Sequence, residues 1–322
     1  MFNAYSDGST FYFPSGRYII TKGTELKIPN NSVIVTEAPV VFEARGESAK
    51  HTLFLIGTNT IIRNLYLQNI GLTVNGNTIY LENIKIQNPG FRGIVIDVSQ
   101  NIQNKNIVFD NCRVYNAPSH GFMFRRSGEE NTSPSVEDIV FKNCYAIDCG
   151  SESSPWGTGF CLHNTHNLVK NVLFEDCVAM RSYESGFHCE FAVNVENVNF
   201  INCRAIENGV RKYEKLCNDN NYALLDSMYG CGFFVRKGYT FKNCFSNNNV
   251  RPIIVEEGFN EEEFKQIDIS NSNKYKVYDI FLNKYDSSAV SEDLCVRTAK
   301  SYALSNVDCD SERKLSLIIY NE

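Results

Sequence analysis

The chain has 322 residues, 43% of them hydrophobic and 21% charged, with a net charge of −6. That apolar share excludes wholesale disorder, the lack of any apolar run of about 18 residues excludes a membrane helix, and the acidic balance disfavours a nucleic-acid backbone as partner. Asparagine supplies 38 residues while alanine and leucine are scarce, which disfavours long helices and favours strands joined by turns.

At the N-terminus, Met1–Asp7 lacks a basic-then-apolar pattern, so no secretory leader is expected. Residues 11–35 read as strand, turn and strand, with Phe13-Pro14-Ser15-Gly16-Arg17-Tyr18 at the first turn. From residue 65 one sextet recurs: an aliphatic residue, a spacer, Phe or Leu, a spacer, Asn or Asp, and a small apolar residue. It runs through Leu65–Ile70, Ile79–Ile84, Ile107–Cys112, Ile139–Cys144, Val172–Cys177, Val198–Cys203 and Tyr239–Cys244, with a weaker copy at Ile267–Ser272. Its apolar residues alternate with polar ones, which is strand periodicity with one buried face. A second strand opens with a glycine, at Gly93, Gly121, Gly159, Gly186 and Gly232, usually followed by Phe. No amphipathic helix of about 10 residues is expected between these strands.

Two to three short strands per turn of roughly 20 to 30 residues predict an all-β, single-domain parallel β-solenoid. Each strand then pairs with its equivalent one turn earlier, about 4.8 Å away. The repeated Asn would stack as an amide ladder at a corner, and the Phe and Cys columns would fill the interior. Side chains stacked in parallel point the same way, so Cys112, Cys144, Cys177, Cys203 and Cys244 are expected as buried thiols rather than disulfides or metal ligands. Cys217 and Cys231 bracket a long insertion and form the best candidate disulfide. The solenoid is expected over residues 1–275. In 276–322 the repeat fades, yet Val277–Leu282 and Leu315–Tyr320 still read as strands. This tail is expected to cap the open end within the same domain.

Candidate chemistry lies on the glycine-led strands. The first and third residues after each glycine are apolar, so the second and fourth should point outward. The fourth positions are Asp97, Arg125, His163, Glu190 and Arg236, and His188 holds a second position. Equivalent positions become neighbours in a solenoid, so these residues should gather as one exposed Arg/His/Glu patch. The intervals between the glycines are 28, 38, 27 and 46 residues, and the extra length falls beside these strands, in 126–136, 149–158 and 209–231. Those insertions carry Trp156, the only tryptophan, with Tyr213, Tyr222 and Tyr229. Aromatic walls over a polar floor suit a carbohydrate, whose CH faces stack on rings while its hydroxyls need hydrogen bonds. His51, His120 and His166 are expected as turn or surface histidines.

The first-coil phrase Phe13–Tyr18 and the sextet repeat together resemble the pectate-lyase-like superfamily of right-handed parallel β-helices, over about residues 10–275. The resemblance implies polysaccharide chemistry by a lyase, an epimerase or a hydrolase. For an acidic sugar, Arg125 or Arg236 would neutralise the substrate carboxylate and His163 or His188 would take the adjacent proton. Tyr183 or Glu190 would act as acid or orienting group. The segment from Tyr183 to Glu190 resembles that of mannuronan C5-epimerases but lacks their Asp-Pro, and the polygalacturonase hallmarks are absent. A hydrolase needs two carboxylates about 5 to 9.5 Å apart. Glu190 with Glu184, or with Asp97, fits that poorly, so lyase or epimerase ranks above hydrolase. No Asp/Glu cluster of the calcium-dependent kind falls on the patch, so neither metal nor cofactor is expected. The alternative is a glycan-gripping module of the phage tail-spike type, extracellular or virion-associated, trimeric if of phage origin. The expected partner in either case is a polysaccharide or oligosaccharide.

Overall fold

The computed structural model describes residues 6–21, 25–36, 40–46, 53–97, 103–125, 136–163, 168–190, 195–219, 229–255, 266–268, 277–280 and 318–319. Successive coils each give one strand to each of three sheets. Among the described residues these sheets hold nine, ten and eleven strands, and every pairing but the last is parallel. The fold is therefore the expected right-handed parallel β-helix.

In the copies from Ile79–Ile84 to Tyr239–Cys244 the sextet spans a corner, with its Phe or Leu on the first sheet, its Asn or Asp at the turn, and its last residue just before the second-sheet strand or, for Cys244, at its start. The Leu65–Ile70 copy and the start of the Ile267–Ser272 copy lie on the second sheet instead, a register that the shared pattern did not reveal. The turn residues Asn83, Asn111, Asn143 and Asn202 all have φ of 50° to 54°. That left-handed conformation is costly for most side chains and cheap for Asn. The amides join coil to coil: Asn83 Nδ2 donates to Asn64 Oδ1 at 2.9 Å and Asn111 Nδ2 donates to Asn83 Oδ1 at 2.5 Å. A second ladder, missed in the sequence, runs along the far end of the second sheet, where Asn116 Nδ2 donates to Asn88 Oδ1 at 3.0 Å.

Inside, Phe109, Phe141, Phe174, Phe200 and Phe241 stack with ring centroids 4.8 to 4.9 Å apart. A second stack from the third sheet, Phe122, Phe160, Phe187 and Phe233, meets it edge to face. The five repeat cysteines are buried thiols as expected. Each sulfur lies against the carbonyl of a phenylalanine, or of Leu81 in the first case, one coil earlier, at 3.3 to 3.5 Å.

The glycines that open the third-sheet strands sit where the coil turns tightly. A Cβ on Gly121 would come within 2.6 Å of the Gly159 carbonyl oxygen and 2.8 Å of Ala146 Cβ. The structure departs from expectation in the longest insertion, where Val210–Asn218 forms a nine-residue helix. Its sequence is mostly polar, and its contacts are to the neighbouring corners: Lys212 meets Glu184 and Trp156, and Arg211 meets Tyr183 and the Arg181 carbonyl. Cys231 is a buried thiol whose Sγ lies 3.5 Å from Ser185 Oγ, so the Cys217–Cys231 disulfide does not form. Val277–Ile280 adds a further parallel strand beside Arg251–Val255 and pairs antiparallel with Ile318–Ile319.

Candidate functional site

The third sheet places the fourth-position residues at the ends of its strands. Asp97 and Arg125 are register partners on Ile94–Asp97 and Phe122–Arg125, and their side chains form an ion pair at 4.0 Å. His163 and Glu190 are register partners on Phe160–His163 and Phe187–Glu190. Between these two pairs the register is unbroken as far as Phe124 opposite Leu162, the residues just before Arg125 and His163. The side chains of His163 and Glu190 lie outside the described residues. Arg236 follows directly on Cys231–Val235 and is half-buried.

The outward second positions are not exposed. His188 is only 3% accessible, and Val95, Met123, Cys161 and Phe234 in the same column are also buried. At His188 and Phe234 the reason is tertiary: Tyr229, at the end of the 209–231 insertion, lies against both. The His188 ring meets Tyr229 edge to face at 4.6 Å and Phe234 at 5.4 Å. Tyr213 and Tyr229 are accordingly buried packing residues and not walls open to a ligand. Tyr222 lies outside the described residues. Tyr183 is buried with the Arg211 guanidinium 5.8 Å from its ring centroid. Burial pushes its phenol pKa up, which keeps it a proton donor rather than a base.

Trp156 differs from these tyrosines. It stays 44% exposed on the 149–158 insertion, and Lys212 Nζ sits 4.0 Å from its ring centroid. The cation holds one ring face, which fixes the indole as a platform.

Lys212 also exposes what periodicity missed. Its ammonium pairs with the Glu184 carboxylate, both side chains almost wholly buried, and the other Glu184 oxygen accepts the Tyr229 N–H. Arg251 Nη1, also buried, donates to the Tyr229 carbonyl at 2.7 Å. Burial pushes the Glu184 pKa up and the Lys212 pKa down, each opposed by the partner's charge. The cluster pins the insertion to the strand that carries His188. It also means that Glu184 is engaged by Lys212 and is not a carboxylate open to a substrate.

One residue before each strand-opening glycine lies a further column: Arg92, His120, Thr158, Ser185 and Cys231. Backbone bonds join it coil to coil, for example Gly93 N to His120 O at 3.0 Å and Gly121 N to Thr158 O at 2.9 Å. His120 is buried here and not a surface histidine. Its Nδ1 accepts the Thr158 N–H at 3.2 Å, which places a ring proton on Nε2 in the neutral imidazole. Stepping back one residue from each glycine would have found this column in the sequence.

An arginine-carboxylate pair beside an in-register His-Glu pair can bind an anion and move a proton next to it. No protein-family profile matches the chain. It is 28% identical, over 191 aligned residues, to the capsule K1-specific depolymerase of Klebsiella phage K64-1. The match takes in 46% of this chain and 20% of that protein, so the chain spans about a fifth of the relative's length. Among solved structures, the pectate lyase Pel9A covers 95% of this chain at 13% identity and a TM-score of 0.45, with 76% of its own chain matched. The catalytic domain of a GH87 alpha-1,3-glucanase covers 77% at 12% identity and a TM-score of 0.38, with 57% of its own chain matched.

Proposed function

We propose that the protein is a carbohydrate-active β-helix that cleaves or epimerises an acidic polysaccharide on the outer face of the third sheet. The observation that carries this reading is the in-register succession of Asp97 with Arg125 and His163 with Glu190 at the ends of neighbouring strands. The likeness to a phage capsule depolymerase supports polysaccharide as the substrate class.

In this reading Arg125 pairs with the sugar carboxylate and so acidifies the adjacent C5–H bond. His163 takes the C5 proton. In a lyase the electron pair forms the C4–C5 double bond and the C4–O bond breaks, with Glu190 or Tyr183 returning a proton to the leaving oxygen. In an epimerase a proton instead returns to C5 from the opposite face. Arg236 extends the cationic edge, and Trp156 stacks against the CH face of a neighbouring sugar. His188 is buried, so its part is to support the strand carrying Glu190. The engagement of Glu184 by Lys212 removes one partner a two-carboxylate hydrolase would need.

The test is incubation with a panel of uronate polymers, following ultraviolet absorbance of the unsaturated product and deuterium uptake at C5 from heavy water. Elimination or exchange that disappears in His163→Ala supports the reading. Glycan retention with neither signal, and no loss in His163→Ala, favours a gripping module of the tail-spike type instead.

A further inference from the structure

We infer that the outer face of the first sheet pairs two copies of this chain, side by side, parallel and coil against coil. Register places Val33, Ile61, Tyr80, Val108, Val140 and Leu173 in one outward column over six successive coils, and all six remain partly in solvent. Asn199 and Thr240 continue the column as polar residues. An apolar stripe of that length on an outer face gains by being covered.

The charges beside the stripe select its cover. On the strands Asn104–Asp110, Val136–Lys142 and Val169–Glu175 its two sides carry opposite signs within each coil: Lys105 with Asp110, Glu137 with Lys142, and Lys170 with Glu175. The signs also alternate from coil to coil, since Glu137 is the register partner of Lys105 and Lys170, and Lys142 that of Asp110 and Glu175. Part of this charge is answered within the chain, where Lys105 meets Glu137 at 3.1 Å and Lys142 meets Glu175 at 3.4 Å. Asp110 takes part in neither pair, and Lys142 and Lys170 keep 47% and 42% of their side chains in solvent.

A twofold axis along the rod lays the stripe on its own copy and brings one side of each coil over the other side of the same coil. Lys105 then faces Asp110, Glu137 faces Lys142, and Lys170 faces Glu175 of the second copy. Sliding one copy by a coil sets Glu137 over Glu175 or Asp110, like on like. Turning it end for end about the middle of the stripe sets Asp110 over Glu82 and Lys142 over Arg63, again like on like. An end-for-end pairing centred between Val140 and Leu173 matches the charges but lays Val108 and Tyr80 on Asn199 and Thr240. The parallel arrangement alone covers the whole stripe and matches the charges. The third sheet stays outside this contact, so the pairing does not depend on the reading of that face.

The experiment is sedimentation velocity of the full chain over a range of concentrations, with the melting temperature of each variant checked. The parent should pass from monomer to dimer as concentration rises. Lys142→Glu and Glu137→Lys each set like charges across both sides of the contact, and should raise the dimer dissociation constant by about tenfold or more. Mixed together, the two variants restore opposite signs on both sides, so the mixture should form dimers where neither variant alone does. This rescue belongs to the parallel, coil-on-coil arrangement, because the other pairings do not bring position 137 over position 142. Val140→Arg tests the contact through the stripe itself, should either charge reversal fail to fold, and should leave only monomer. A parent that stays monomeric at every concentration, a closed trimer, dimers that survive all three substitutions, or a mixture without rescue would each overturn the proposal. So would a monomeric parent whose glycan retention falls in Val140→Arg, which would assign the stripe to a sugar chain.

Discussion

Along the second sheet, Tyr145, Ile147, Val178 and Met180 remain partly in solvent and Phe245 is exposed. Along the third, Val95, Met123, Cys161, His188 and Phe234 hold comparable outward positions and are buried. The same coils generate both faces, so the strand pattern is not the difference. The corner into each second-sheet strand is a tight turn at a single left-handed residue such as Asn143, whereas the 149–158 and 209–231 insertions begin at the corner that leaves it, after Asp148 and Glu207. The outer face of the second sheet is an open groove of about 660 Å³ along the line of turns at Asn143, Asp176 and Asn202, floored by residues such as Tyr145, Met180 and Phe245. Two of the insertions lead into third-sheet strands, and the end of the longest sets Tyr229 against His188 of that sheet. A repeat thus sets where residues stand along the rod, while insertions set what each face can do.

The sharpest way to break this contrast is to release the insertion. Lys212→Met leaves the Glu184 carboxylate buried without its cation, a loss of about 3–5 kcal/mol. Thermal unfolding should show that loss, and Glu184→Gln added to Lys212→Met should return part of it. Hydrogen exchange should rise first around His188 and Tyr229, while the second sheet keeps its protection. Equal losses on both sheets would mean that the insertion is not what distinguishes them.

Next in size is a corner change that leaves the third-sheet face untouched. Asn111→Ala removes a ladder amide and puts alanine at φ of 52°, at a combined cost of about 1–3 kcal/mol. Stability should fall with the affinity for an acidic oligosaccharide unchanged. Trp156→Ala should do the reverse. It should weaken glycan binding by about two- to tenfold, the scale of one aromatic contact, with little change in melting temperature.

The smallest effect concerns acid. On the second sheet, hydrogen bonds from Arg45 and then Arg17 hold the Glu43 carboxyl down to about 2. A carboxyl whose pKa is lower folded than unfolded adds stability above its unfolded value near 4.5, and that contribution fades as pH falls toward 2. Amide protection factors in Gly16–Ile20 and Val40–Ala44, corrected for the intrinsic pH dependence of exchange, should therefore fall over that window. The Glu184 carboxyl is shifted the opposite way by burial, so its ionisation adds no stability with rising pH.

The parts legible in the sequence are those the repeat fixes. The Phe and Cys columns, the first Asn ladder and the inward first and third positions after each glycine follow from alternation and spacing alone. Arg125 opposite Asp97 follows in the same way, since register repeats from coil to coil. The burial of His188, Tyr213 and Tyr229 does not follow. It depends on Lys212 meeting Glu184 across 28 residues of chain, and no local period encodes that contact. The helix was hidden for a related reason: Val210–Asn218 is polar and short, and its contacts, to Glu184, Trp156 and Tyr183, come from other coils.

The most direct test of the account is a crystal structure with a uronate oligosaccharide soaked in. The account predicts the sugar on the third sheet, its carboxylate at Arg125 and a ring against Trp156. An oligosaccharide lying instead in the groove over Tyr145, Met180 and Phe245 on the second sheet would contradict it.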